Sequence, residues 1–345
     1  MNQSLTVSID AMGGDAGPVI VVDALLRLAQ RHPGVRYLLH GDEAQLKPLI
    51  EKQALLVPLV EIRHSSERVK MEDKPSIALR RGRNTSMWRA IECVAKKEAE
   101  VVVSAGNTGA LMAMSMYQLG LIEGIERPAI AALWPTKTSQ SVVLDVGATI
   151  TSSADQLVDF AIMGAAFARA IFHSETPSVG LLNVGSEDVK GNDAVRGAAQ
   201  ILRNATTLSY AGFVEGSDIS EGKVEVIVTD GFSGNIALKT AEGTAKLIVE
   251  YLRAALTSSF FGRLGAFIAS GAMNSLKRKL DPRASNGGIF LGLNGVVVKS
   301  HGGTDALGFA SALDMAIGMA KSGVIPRIAA DRAGITPQPA ATAVS

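Results

Sequence analysis

Cysteine is almost absent. Cys93 is the only one in 345 residues, which excludes a disulfide framework and a thiolate zinc site and suits a reducing compartment. Aromatic residues are scarce at 5%, so the core must be built from Ala, Val, Ile and Leu, not from the aromatic layers of a β-sandwich. Neither sign of charge is in excess, with 34 Lys and Arg against 33 Asp and Glu, so no bulk field favours nucleic acid. The opening MNQSLTVSIDAMGG has neither a basic n-region nor an apolar h-region, and the expected location is the cytoplasm. The five histidines show no HxxxH or HExxH spacing, so neither a metal nor another cofactor is expected.

What is present is apolar and glycine-rich. Hydrophobic residues make up 47% and charged residues only 19%, which rules out disorder as the main state. Val101 to Ile122 runs 22 residues without a charge, nominally enough to span a bilayer. The turn Ser104-Ala-Gly-Asn-Thr-Gly109 breaks that run with polar backbone, so a buried strand, a loop and a buried helix are expected instead. Short β-branched runs such as Thr6–Ile9, Val101–Val103, Val142–Leu144 and Gly295–Lys299 alternate with helical stretches such as Ala154–Phe172 and Ile236–Ala255. Thr85 and the pair Ser153 and Gln156 read as helix starts. The alternation predicts a mostly parallel α/β sheet with helices on both faces. A single unit over 1–333 is expected, with a helical protrusion around 251–280 and a disordered tail over 334–345.

The regularity that points to chemistry lies at the strand ends. Asp10 opens DAMGGD, Ser104 opens SAGNTG, Asp145 opens DVGA, Asn183 opens NVGSEDVKGN, Asp230 opens DGFSGN, and Ser300-His301 precedes two glycines. Ligands of open parallel sheets bind outside the carboxyl ends of the strands, so six such loops are expected to share one cleft. Glycine lets backbone N–H groups approach an anion, and Asn107-Thr108-Gly109 and Ser233-Gly234-Asn235 each precede a helix whose dipole favours one. These two turns suggest phosphate-bearing ligands, although neither GxxxxGK[ST] nor GxGxxG occurs. Lys190 is the cation placed to neutralise a phosphate or an oxyanion; a solvated loop lysine is the plainer alternative. His301 reads either as an acid/base or as a structural neighbour of the site. No GxSxG exists, and Cys93 sits mid-helix as a packed thiol. Without a nucleophile or a metal, direct transfer between two bound substrates is favoured.

Basic residues gather at Arg80, Arg81 and Arg83, and again over 251–280, which lacks Asp and Glu and carries Arg253, Arg263, Lys277, Arg278 and Lys279. Phe260, Phe261, Leu264, Phe267 and Ile268 recur there near helical spacing. Such a segment suits contact with a membrane surface or a dimer interface.

With these motifs in view, the sequence resembles the bacterial phosphate acyltransferases that act on acyl-acyl-carrier-protein (acyl-ACP). The resemblance rests on Asp10-Ala-Met-Gly-Gly-Asp15, Met71-Glu-Asp-Lys-Pro75 with the Arg80 cluster, Ser104-Ala-Gly-Asn-Thr-Gly-Ala110, Arg127-Pro-Ala129 and Asp145-Val-Gly-Ala148. It continues through Gly180-Leu-Leu-Asn-Val-Gly185 with Lys190-Gly-Asn192, Gly212-Phe-Val-Glu-Gly216, Asp230-Gly-Phe-Ser-Gly-Asn235, Leu238-Lys-Thr240 and His301-Gly302. It departs at Ala16, at Thr149 and at Asn286-Gly-Gly-Ile-Phe290. The resemblance implies a three-layer α/β/α fold related to isocitrate and isopropylmalate dehydrogenases and to phosphotransacetylases. It implies a homodimer at the inner face of the cell membrane that moves a long-chain acyl group from acyl-ACP to inorganic phosphate for phospholipid synthesis. On that reading Lys190, Asn235 and His301 are the catalytic candidates. Substrate and phosphate would be held by Asp10, Gly13, Gly14, Ser104, Gly106, Asn107, Thr108, Asn183, Asp230, Ser233 and Gly234. The acidic ACP would dock on Arg80, Arg81 and Arg83, and the Phe260–Ile268 face would meet the membrane. A nicotinamide-dependent dehydrogenase of the same fold class and a non-catalytic ACP- or membrane-binding scaffold stand as alternatives.

Overall fold

The β-branched and Ala/Leu-rich runs become eleven strands and twelve α-helices among the described residues, which are 5–271, 273 and 287–334 of a computed structural model. The first half runs β1 (Thr6–Asp10), α1 (Pro18–Ala29), β2 (Arg36–Gly41), α2 (Glu43–Glu51), β3 (Val60–His64), α3 (Pro75–Arg81), α4 (Ser86–Ala95), β4 (Val101–Ser104), α5 (Thr108–Leu119), β5 (Ala129–Pro135) and β6 (Gln140–Leu144). The second half runs α6 (Ala154–Phe172), β7 (Ser178–Leu182), α7 (Asp193–Asn204), β8 (Ser209–Val214), α8 (Gly216–Glu221), β9 (Val226–Val228), α9 (Gly231–Thr257), α10 (Phe260–Ile268), β10 (Gly288–Leu291), β11 (Val296–Lys299), α11 (Ala306–Ser322) and α12 (Val324–Ala333).

The strands form one sheet in the order β3-β2-β1-β4-β11-β10-β5-β6-β9-β7-β8. Its two flanks are parallel within themselves. Between them β10 runs antiparallel to both β11 and β5, and β5 runs antiparallel to β6. The flanks therefore point in opposite directions. The six loops do not open at one edge as expected: Asp10 and Ser104 end strands of one flank and Ser300 follows a third, whereas Asp145, Asn183 and Asp230 follow strands of the other.

The central strands are buried on both faces, which is why they read as unbroken runs such as Val101–Val103 and Val296–Val298. One face packs on α1, α6, α7, α11 and α12 through residues such as Leu25, Phe160, Phe167 and Phe309. The other packs on α4 and α5 through Met87, Trp88, Ile91, Leu111 and Met114. Thr85 caps α4 by accepting from the Trp88 N–H, and Ser153 with Gln156 closes a capping box on α6. The uncharged run from Val101 resolves into β4, a turn and α5. No helix among the described residues is long and apolar enough to cross a membrane. Lys277, Arg278, Lys279, Asn286 and the terminal stretch 335–345 lie outside the described residues.

Candidate active site

Asp10, the last residue of β1, is buried and receives the Ser86 hydroxyl at 2.6 Å, the Ser104 hydroxyl at 2.7 Å and the Met12 N–H at 3.4 Å. Burial pushes its carboxyl above the ordinary value, and the hydroxyl donors pull back only part of that rise. Ser104 also accepts the Gly106 N–H at 3.0 Å. A Cβ on Gly13 would stand 2.7 Å from the Gly106 nitrogen, so these two turns touch backbone to backbone. The Asp15 N–H donates to the Gly302 carbonyl at 3.0 Å and ties the first loop to the one after β11.

Lys299 closes β11 between these loops. Its ammonium donates to the Ala105 carbonyl at 3.4 Å and to the Ser300 carbonyl. Burial drags its pKa down to about 8, Asp10 and Asp15 favour the charge, and Lys239 opposes it. Next to it, His301 faces the Lys239 ammonium, 3.4 Å from its Nε2. Burial and then Lys239 hold the imidazole below its ordinary value, so it is neutral at pH 7.

The second group of loops is organised by Asp145, which is fully buried. Its carboxylate receives the N–H groups of Ile130 (3.0 Å), Gly147 (3.0 Å), Ala148 (2.9 Å) and Thr149 (2.7 Å) and the Thr149 hydroxyl (2.9 Å). Thr149 in turn accepts the Gly231 N–H at 3.1 Å and so fastens the loop to the start of α9. The glycines of DGFSGN serve this contact. A Cβ on Gly234 would lie 1.9 Å from the Asp145 carbonyl oxygen, and one on Gly231 would lie 2.2 Å from that of Thr149.

Helix α9 joins the two groups. Asn235 lies beside Gly147, Lys239 meets His301 one turn later, and Glu242 pairs with Lys239 at 2.9 Å. Positions 235, 239 and 242 share one face at helical spacing. The structure thus brings Lys239 and His301 together beside the Asp10–Gly14 and Ser104–Gly106 turns, and sets Asn235 one helical turn away on the same side of α9, next to Gly147.

Other candidates stand elsewhere or are engaged in structure. Asn107 caps α5 by accepting the Ala110 N–H at 3.0 Å, and its amide donates to the carbonyls of Met71 (2.8 Å) and Asp73 (3.0 Å). It therefore pins the 70–73 segment, and Thr108 begins the helix behind it. The expected anion seat at α9 is filled by the protein itself: Asp230 accepts the Ser233 N–H (2.8 Å) and hydroxyl (3.0 Å), which puts a carboxylate where the anion was expected. Asp230 and Ser233 instead help line a cleft of about 220 Å³ with Thr151, Ser152, Asn192 and Phe232.

Asn183 braces its own loop, accepting the Val184 N–H at 2.9 Å and donating to the Lys190 carbonyl at 3.3 Å. Lys190 is exposed on that loop, and among the described residues no hydrogen bond or ion pair links its ammonium to Asn235 or His301. Arg80, Arg81 and Arg83 are exposed around the C-terminal end of α3, and Arg83 lies 5.9 Å from the centroid of the Trp88 ring. Phe260, Phe261, Phe267 and Ile268 on α10 are each at least 75% exposed, and Leu264 is 46% exposed.

Two residues of the cluster, Lys239 and Lys299, escaped the sequence reading. Their signals were present. Lys239 lies four residues after Asn235, and Lys299 is a charge closing a run of valines immediately before Ser300-His301.

The family model described as Fatty acid synthesis protein matches residues 5–327. The chain is 55% identical over 333 residues to the phosphate acyltransferase of Parvibaculum lavamentivorans, covering 96% of this chain and 92% of that protein. It is 54% identical to that of Sinorhizobium fredii, covering 95% of each. Among solved structures it is similar to a phosphotransacetylase from Streptococcus pyogenes (TM-score 0.63, 18% identity, 93% and 95% of the two chains). A 4-hydroxythreonine-4-phosphate dehydrogenase from Klebsiella pneumoniae is also similar (TM-score 0.50, 14% identity, 93% and 99%). Those two likenesses establish the dehydrogenase-like α/β fold. The sequence relatives go further, and the chain belongs to the phosphate acyltransferase family.

Proposed function

We propose that this protein transfers a long-chain acyl group from acyl-ACP to inorganic phosphate, releasing acyl phosphate and ACP for phospholipid synthesis. Within this family, the observation that carries the reading is the meeting of Lys239 and His301 beside the Asp10 and Ser104 turns, with Asn235 one turn away on the same face of α9. There one substrate can be a small anion and the other a thioester. A phosphate oxygen attacks the thioester carbonyl, the C–S bond breaks, and the electron pair leaves on the carrier's sulfur, which then takes up a proton. Neutral His301 would accept a proton from phosphate and return it to that sulfur. The Asn235 amide would donate to the oxyanion. Holding both reactants in this geometry can supply about 7–11 kcal/mol without an acyl-enzyme.

Two exposed surfaces support the proposed partners. The exposed Arg80, Arg81 and Arg83 would receive the acidic ACP, on the helix that follows the 70–73 segment pinned by Asn107 and in the turn after it. The exposed apolar residues of α10 would rest on the inner face of the cell membrane in a homodimer. The deciding assay is phosphate-dependent release of free ACP thiol from long-chain acyl-ACP, with acyl phosphate recovered as product. Turnover that needs no phosphate, or none from folded protein, would refute the reading. Charge reversal at the three arginines should raise the apparent KM for acyl-ACP in a salt-sensitive way, and an unchanged salt dependence would remove them as the docking surface.

A further inference from the structure

Lys299 is costly where it stands. Lysine seldom withdraws from water without a partner, yet this one is partly buried at the end of a core strand whose three preceding valines are buried. Two of its three donors are used on the Ala105 and Ser300 carbonyls. Asp10 is the largest charge supporting it, but no ion pair joins them, and the Asp10 oxygens are occupied by Ser86, Ser104 and the Met12 N–H. On its other side Lys239 repels it, and Lys239, Lys299 and Lys246 together disfavour protonation of His301. The carboxylates facing the cluster are Asp10, Asp15 and Glu242, and Glu242 is paired with Lys239. Like charges crowded from β11 and α9 onto glycine turns that touch backbone to backbone cost free energy, which an anion bound among them would return.

We propose that Lys299 and Lys239 form the seat for inorganic phosphate, Lys299 from beneath through its remaining donor and Lys239 from α9, with His301 beside the bound anion. The proposal rests on the acyl-transfer reading and assigns the phosphate half of it. The thioester then approaches from the side of Asn235 and Gly147.

The test uses the full-length chain and the variants Lys299→Met and Lys239→Met. In the thiol-release assay each should raise KM for phosphate at least tenfold while KM for acyl-ACP stays within twofold. In thermal unfolding, inorganic phosphate should raise the Tm of the wild type above a chloride control of equal ionic strength, and that shift should vanish in both variants. Without phosphate, Lys299→Met should keep or raise the Tm, because a partly buried charge with no ion-pair partner has been removed. An unchanged KM for phosphate, or a rise confined to acyl-ACP, overturns the proposal. So does a fall in the Tm of Lys299→Met without phosphate, which would mark Lys299 as half of a structural pair. A wild type that binds phosphate through these lysines but releases no thiol would refute the acyl-transfer reading and leave the seat standing.

Discussion

Replacing Asp145 with Asn tests whether one carboxylate organises the second wall of the site. The side chain keeps its shape, and its remaining oxygen can still accept from Ile130, Gly147 and Ala148. The new NH₂ group, however, faces the Thr149 N–H, now 2.7 Å from a carboxylate oxygen. The Thr149 hydroxyl can rotate to accept, but the backbone N–H cannot. The loss is one hydrogen bond to a charged acceptor, about 1.5–3 kcal/mol, plus a buried donor left unsatisfied, about 1–3 kcal/mol. A total of about 3–5 kcal/mol is a large share of the ~5–15 kcal/mol that keeps a typical protein folded.

At about 2.1 cal/mol/K of unfolding entropy per residue, a chain of this size should lose about 4–7 °C in Tm. Activity should fall further than stability. A displaced Thr149 gives up the Gly231 N–H, and the first turn of α9, which carries Asn235 towards Gly147, loses its anchor. Thermal unfolding and phosphate-dependent thiol release, both run at pH 7, read the two effects. A Tm within about 1 °C of wild type together with activity within threefold would refute the argument, since it requires that no other group can replace the carboxylate.

Two glycines of α9 should respond in opposite ways. Gly234→Ala puts a methyl 1.9 Å from the Asp145 carbonyl oxygen and should abolish activity, whereas Gly243→Ala, with nothing within 4 Å, should raise stability by about 0.5–1 kcal/mol in urea titration. Burial, then Arg63, depress His40 from 6.5 to about 4. The unfolded chain therefore binds more protons between those values, and stability is lost as pH falls through that window. Between pH 7 and 5 the wild type should lose about 2 kcal/mol more than His40→Phe, and equal slopes in urea titrations would refute the assignment. Lys190→Ala should cost less than about threefold in kcat/KM, because its exposed ammonium makes no described contact with the site. A hundredfold loss, about 2.7 kcal/mol, would place it against the transition state.

Local chemistry made much of the fold legible. Ala154–Phe172 and its capping box could be read to the residue, because a helix start is written in adjacent side chains. β10 was not legible. Gly-Ile-Phe-Leu is too short to show a period, and what makes it a strand is pairing with β11 just after it and with β5, remote in sequence. The sheet reverses at the antiparallel β5–β6 pair, because β10 is antiparallel to both β11 and β5 and leaves those two running the same way. No run of apolar residues states its direction, so the expectation that six loops open at one edge fails there. The same limit governed the site. Gly234 and Asn107 read as ligand contacts in the sequence because glycine and a capping Asn look alike there whether they face an anion or another backbone. Only the Asp145 loop behind α9 and the Met71 and Asp73 carbonyls behind α5 distinguish the cases. Lys299 shows the converse. A lysine after three valines reads as the polar end of a strand, and its meaning comes from charges supplied by β1 and α9, which no local pattern encodes. Motifs marked which loops matter, but the direction of the strands and the repulsion between lysines decide which of their side chains remain available to a substrate.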